Sequence, residues 1–435
     1  MRKPSGPLWQ HPDFLKLWTG QTLSEFGSQV SQLAIPAVAV LTLKATPFQV
    51  AALATVEFLP FLLFTLPAGV CVDRWRRRWI LIVGDLGRAV LLVSIPVAYA
   101  IGHLTLLQLY IVGFAVGVHT VFFDVAYQSY LPQLVDRETL IEGNSKLQMT
   151  VAGAGIVGPG MTGGLIGLVT APYAILVDAV SFVVSGGFTA SIKKREELPA
   201  ATERRNLLVE LKEGLTYVTR HRLLFPQAIS TGSSNFATNI LFSVYTFYAY
   251  RQLGLTPALL GLTGSIAAVG WLAGSASAGK LREKLGVNGA TILGASLTGP
   301  ACLLVPLAPH GHAAIPFLAA SGAIMGFGAV VYNIQQVSLR QAITPERLLG
   351  RMNASIRFLV WGTIPLGSLV GGALATAFSV RTALFVGACL GFSSIIPILF
   401  SPLRTLRDFP DQEETPLLHE AGLVTELGGP AAAES

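Results

Sequence analysis

The chain has 435 residues, of which 52% are hydrophobic and only 12% charged, against roughly 25% charged in ordinary soluble domains. That composition excludes a soluble globular protein, and apolar runs of roughly 20 residues, each long enough to cross a ~30 Å hydrocarbon layer, recur too often for a single-span or peripheral one. The net charge of +6 does not imply a nucleic-acid partner, because Lys and Arg on a membrane protein first report which loops stay inside.

The opening stretch "MRKPSGPLWQHPDFLKLW" is basic and proline-containing, and the apolar segment after it is too long for a signal-peptide core. It reads as a cytoplasmic lead-in. Twelve candidate spans follow. In the first half they run from Leu17 to Leu43, Phe48 to Cys71, Trp79 to Ile101, Leu104 to Tyr130, Asn144 to Val169 and Pro172 to Ile192. In the second half they run from Leu223 to Tyr250, Pro257 to Lys280, Gly286 to Ala308, Ala313 to Leu339, Met352 to Phe378 and Thr382 to Pro402.

With the N-terminus inside, the inside loops gather Arg74, Arg76, Arg77, Arg78, the block from Lys193 to Arg222, Arg340, Arg347 and Arg351, while the outside loops keep only Lys44, Arg251 and Arg381. This asymmetry places both termini in the cytoplasm. The expected fold is therefore an all-α membrane protein of twelve transmembrane helices, in two six-helix repeat bundles around a central cavity. The bundles are residues 1–192 and 223–403, joined by a cytoplasmic linker, 193–222, and followed by a tail, 404–435, whose acidic, Pro/Gly/Ala-rich composition reads as disordered. Within the linker, Leu207, Leu208, Leu211, Leu215 and Val218 recur at helical spacing. They describe an amphipathic helix, either solvated or lying on the membrane surface.

One constant offset sets Leu131–Ile141 on Leu339–Leu349 and Gly163/Gly164 on Gly371/Gly372. Parallel repeats of this kind, with a central site, are a transporter architecture.

An ionisable group at mid-membrane costs several kcal/mol unless paired or hydrated, so each is a functional candidate. Glu25, Glu57, Asp85, Asp124 and Asp178 all fall in spans of the first half; the second half has no such acid and one deep base, Arg357. Gln21, Glu25, Gln29 and Gln32 share one helical face, as do Thr120, Asp124 and Gln128. Asn235, Asn239, Asn333 and Gln336 continue the pattern in the second half, which implies one shared wet cavity. Phe242 shares the Asn235 face and is the aromatic candidate for an amphiphilic substrate. Interhelical hydrogen bonding is the plainer use of the amides. Glu57 and Glu25 are the proton-carrier candidates, with Asp124 nearer the cytoplasmic end; His119 reads as a buried neutral histidine.

Enzyme signatures are missing: no GxxxxGK[ST], no HExxH, no DDxxD and no soluble domain large enough to hydrolyse ATP. Cys71, Cys302 and Cys389 lie in or beside apolar runs with no metal-ligand spacing and read as core residues, so neither metal nor cofactor is expected. An ion gradient must then supply the energy.

"GVCVDRWRRR", Gly69 to Arg78, resembles the loop between helices two and three of the major facilitator superfamily, G-x-x-x-D-R-x-x-R-R, with Gly69, Asp73, Arg74, Arg77 and Arg78 on its positions. "GPGMTGG" resembles the fifth-helix motif of that superfamily's exporters through Gly158, Pro159, Gly163 and Gly164, with spacing one residue off. "FFDVAYQSYLPQLV", "EGNSKLQ", "LVDAVSF" and "VSLRQAITPERLLGRMNASIRFLVWGTIPLG" resemble bacterial drug exporters of the macrolide-efflux and enterobactin-exporter branch. The resemblance implies export of an amphiphilic small molecule from the bacterial inner membrane by proton antiport and alternating access, with no cofactor and a monomer as the working unit. A facilitator or importer of the same fold, and a non-transporting membrane sensor, are the alternatives. Asp73 is expected to act as a gate latch against the N-terminal end of the eleventh span or Arg357. The glycines of the fifth and eleventh spans are expected to let the halves approach closely.

Overall fold

The computed structural model describes Leu8 and residues 11–135, 137–194, 196 and 207–408; the expected tail from 409 on and much of the linker lie outside them. The described chain is almost wholly helical. Its first elements are α1 (Pro12–Ala37), α2 (Pro47–Arg74), α3 (Arg77–Ala100), α4 (Leu106–Leu134), α5 (Arg137–Val169) and α6 (Ala171–Ala190). A short α7 (Leu207–Arg220) leads to α8 (Leu224–Phe247), α9 (Pro257–Ser296), α10 (Thr298–Leu303) and α11 (Ala314–Ile343). Then come α12 (Glu346–Trp361), α13 (Thr363–Ala377), α14 (Val380–Ser393) and α15 (Ile396–Leu399).

The helix starts are written in the sequence. Thr46 accepts from the Gln49 amide while the Gln49 side chain accepts from the Thr46 amide, a capping box with Pro47 pre-set in the first turn. Thr256 and Pro257 open α9 with half of that arrangement, the Leu259 amide donating to the Thr256 hydroxyl at 3.3 Å without a reciprocal side-chain bond. The approach to these two starts is also alike. A π-helical turn, Val38–Thr42 or Tyr248–Gln252, is followed by a left-handed residue, Lys44 (φ 53°) or Gly254 (φ 70°). The Leu43 and Ala45 amides bond Val38 and Ala39, as Leu253 and Leu255 bond Tyr248 and Ala249.

Nine helical stretches among the described residues are long and apolar enough to cross a membrane. α1 and α8 fall outside that set, although they have 26 and 24 residues, because their amides, hydroxyls and Glu25 lower their apolarity. One of the nine, Pro257–Leu303, runs 47 residues, about 70 Å if straight and more than twice the hydrocarbon thickness. It turns at Gly286, whose φ of 74° suits only glycine. The Val287 and Asn288 amides there bond the carbonyls of Arg407 and Leu406, both at 2.9 Å.

α1 packs on α5 and α6, α3 on α4 and α6, and α2 on α4; later in the chain α8 packs on α13 and α14, and α9 on α11. Contacts between these two groups are carried by α5 on α9 and by α2 on α13 and α8. Small residues permit the close approaches: Gly27 faces Asp178 and Ser181, Gly270 the backbone at Ala323, and Gly371 the carbonyl of Ile240.

The end of α7 that precedes α8 packs on protein, while the Leu207, Leu208 and Leu211 side chains lie outside those described. Tyr217 and Val218 are buried in a cluster with Leu224, Met352 and Ile356, and the Arg351 guanidinium bridges the Glu213 carboxylate. Of the cysteines only Cys302 is a core residue; Cys71 is half-buried and Cys389 exposed, since neither of the latter helix faces is packed over.

Candidate functional site

A cavity of about 660 Å³ lies between α2 and α4 on one side and α11 and α12 on the other. Gly69, Gln128, Gln341 and Gly350 line it, so it sits toward the end where α2, α4 and α11 finish and α12 begins. At mid-depth Trp361 of α12 meets Phe58 and Phe61 of α2 edge-on, with ring centroids 5.9 and 6.1 Å apart.

The opposite end is shut. The Arg251 guanidinium donates to the Val40 carbonyl at 2.7 Å, Gly372 rests on Phe48 and Ala51, and Gly163 on the backbone of Pro257, Ala258 and Gly261. The Gly160 amide donates to Ser265 Oγ at 3.0 Å. Of the four expected interface residues, Pro159 and Gly163 therefore face α9; Gly158 instead packs on Gln29 of α1, and among the described residues no neighbouring helix lies within 4 Å of where a Gly164 Cβ would sit. The fifth span meets the eighth across the interface, while the eleventh meets the second.

The acids of the first half surround one cation that hydropathy reading passed over. Arg88 is 5% exposed and donates to Asp85 at 2.6 Å and to the Gly84 carbonyl at 3.2 Å. Its guanidinium lies over the rings of Phe123 and Phe182 at 4.3 and 4.0 Å. Its charge reaches Glu25, Asp85, Asp124, Asp178 and His119. Asp178, 1% exposed, has Ser181 Oγ at 3.3 Å and Ser31 beside it. The spacing Asp85-x-x-Arg88, one turn of a helix, was the available signal. His119 is half-buried, its ring over Gly87.

Glu57 stands apart from this cluster. Its stem fills the space over Gly113 of α4, and among the described residues its carboxylate has no ion pair or hydrogen bond. Glu25 has Gln21 one turn before it, beside its carboxylate. Asp124 is exposed and feels Arg88 and Glu25 on its own side and Arg357 across the cavity.

The polar stripes expected to share one wet cavity reach two cavities that meet along α11. Asn235, Phe242, Asn333 and Gln336 line a separate pocket of about 370 Å³ between α8, α9 and α11, with Trp271, Met325 and Tyr332. Its polar groups are mutually bonded: Thr231 Oγ1 to Gln336 at 3.1 Å and Gln336 Nε2 to Asn333 Oδ1 at 3.2 Å. Asn239 turns away and donates to the Asn235 carbonyl at 2.8 Å. Gln128 lines the larger cavity.

In the stretch Gly69 to Arg78, Gly69 lines the cavity, Arg74 is exposed and the Asp73 side chain lies outside those described. Glu196 receives the Arg77 and Arg78 amides at 2.7 and 3.2 Å, and the Arg78 guanidinium donates to the Ala190 carbonyl. These arginines thus tie α3 to the segment after α6, not to α12. Among the described residues Arg357 makes no ion pair; it lies 4.8 Å over the Trp361 ring. The expected latch between Asp73 and Arg357 therefore lies outside the described residues.

Long apolar helices and a cavity that is closed at one end are the features of a multi-pass membrane transporter. The family described as "Transmembrane secretion effector" matches residues 4–427, and the chain belongs to that family, a branch of the major facilitator superfamily. It is 26% identical over 80% of its length to the "Multidrug efflux pump Tap" of Mycolicibacterium fortuitum, covering 86% of that protein. It is 24% identical over 85% to "Macrolide efflux protein A" of Streptococcus pyogenes, covering 90%, and 23% identical over 95% to "Enterobactin exporter EntS" of Salmonella choleraesuis, covering 96%. In fold it resembles a bacterial homologue of the iron transporter ferroportin in an inward-facing state, with a TM-score of 0.72, 17% identity, and 89% and 98% of the two chains covered. These relatives are transporters, not enzymes.

Proposed function

We propose that the protein is a monomeric, twelve-span exporter in the bacterial inner membrane that moves amphiphilic small molecules outward in exchange for protons. The first six spans end near residue 192 and the last six begin near 223. The approach to α2 and the approach to α9, alike bond for bond, support a duplicated design. Exposed Trp75 and Trp79 beside Arg74 and Arg76 suit a cytoplasmic interface and so support an orientation with both termini and the open cavity inside.

The observation that carries the coupling is Glu57, a membrane-embedded carboxylate without a countercharge, on the α2 helix that also walls the cavity. Such a group is costly when ionised, so it is suited to take a proton in one state and release it in the other; Glu25 and Asp124 are the second and third carriers. The uncharged pocket with Asn235, Phe242, Asn333 and Gln336 is the second-half part of the substrate path, with Gln29 and Asn239 as packing positions at its margins. Gly69, Asp73, Arg74 and Arg357 form the cytoplasmic gate. The test is everted vesicles offered a macrolide, a lipophilic cation and a catecholate siderophore. Uptake of at least one, abolished by collapsing the pH gradient and lost in Glu57→Gln with normal folding, is expected; uptake that ignores the gradient contradicts it.

A further inference from the structure

Among the described residues, the 660 Å³ cavity is lined by two cations and no anion. Arg340 and Arg357 both line it, and none of the described residues on its walls is Asp or Glu. Arg340 is three residues before the end of α11, half-buried rather than in a loop, and its Nε is buried with no hydrogen-bond partner. Neither guanidinium stands at ion-pair distance from a described carboxylate, and each feels the other's positive charge. Asp124, across the cavity, is within the field of Arg357.

Two uncompensated guanidiniums facing one space raise its potential and focus anions into it. A guanidinium offers a planar fork of donors matched to carboxylate, sulfonate or phosphate oxygens. Beside them Phe61, Phe358 and Trp361 present an apolar aromatic wall, and Gln128 and Asn353 add neutral polar groups.

We infer that this cavity is a binding site for an organic anion: an amphiphile whose acidic group lies between Arg340 and Arg357 and whose aromatic or apolar body lies against Trp361 and Phe358. The inference rests on the exporter reading and names its substrate class. Sending an anion out while a proton comes in moves charge twice in the direction an inside-negative potential favours, so both components of the proton gradient drive the export.

The test is binding of radiolabelled 2-naphthoate to the purified full-length protein in phosphatidylcholine nanodiscs, with competition by unlabelled 2-naphthoate and by 2-naphthylmethylammonium, the same ring system with the opposite charge. The anion is expected to compete at least about tenfold better, and Arg340→Gln and Arg357→Gln each to weaken 2-naphthoate about tenfold, with Arg340→Lys and Arg357→Lys largely restoring it. Equal competition by the two compounds in the unaltered protein overturns the inference whatever the variants do. Loss of 2-naphthoate binding when the discs contain phosphatidylglycerol assigns the site to a lipid headgroup and overturns it too. Because no flux is needed, failure here leaves proton-coupled export of a neutral or cationic compound standing, and the everted-vesicle panel reports that separately.

Discussion

The Arg88 guanidinium donates to Asp85 at 2.6 Å with both residues buried, one turn apart on α3, and Asp178 of α6 lies within the same field. One cation thus answers for two carboxylates that almost no solvent reaches. Removing one partner of a buried pair leaves the other charge uncompensated, which costs about 3–5 kcal/mol. Arg88→Met is expected to lower the melting temperature of the purified protein in detergent strongly, and Arg88→Met with Asp85→Leu to recover much of the loss. A single variant as stable as the unaltered protein contradicts this.

At the shut end, a side chain on Gly163 meets the backbone of α9, whereas one on Gly164 meets no neighbouring helix among the described residues. Overpacking at such a contact costs about 1–3 kcal/mol, enough to shift the closed population roughly 5- to 150-fold. Gly163→Leu is expected to abolish efflux and to change maleimide labelling of a cysteine replacing Gln128, while Gly164→Leu leaves both unchanged. The same labelling reports the gate: Asp73→Asn is expected to keep the Gln128 position exposed more of the time, and no shift returns Asp73 to a topological role.

Asp13 lies before the first span and ties it to the segment after α6. Burial raises its carboxyl, but the Lys16 hydrogen bond and charge and the amides of Lys193 and Lys194 outweigh this and hold it below the usual carboxylate range. A depressed folded value means that the group stabilises the fold above the unfolded pKa of about 3.9, and that this contribution disappears as pH falls through the folded value. Asp13→Asn is expected to be less stable than the unaltered protein at pH 7, with the gap closing in acid; a gap independent of pH shows that the carboxylate charge is not what matters.

Much of the fold is legible in the residues. Apolar runs mark the spans, Thr-Pro pairs mark the starts of α2 and α9, and the acids of the first half stand out against their hydrophobic surroundings. Partners across helices are not legible in that way. Arg88 hides in an apolar run because burial by Phe123 and Phe182 is tertiary. Arg340 looks like a loop residue because hydropathy cannot give the length of α11. The polar stripes of α1 and α8 point inward, yet periodicity alone does not say that Gln29 packs on a glycine while Asn235 lines a pocket. The glycine-rich fifth span announces close approach, and only packing shows that α9 is what approaches it.

The most direct measurement of proton coupling is pH-gradient-driven uptake of the transported panel compound in proteoliposomes made with the unaltered protein and with Glu57→Gln, each matched for folded protein by size-exclusion profile. Glu57→Gln is expected to lose gradient-driven uptake while still exchanging labelled for unlabelled compound at equilibrium. Undiminished gradient-driven uptake by Glu57→Gln would contradict the role of that carboxylate as the essential proton carrier.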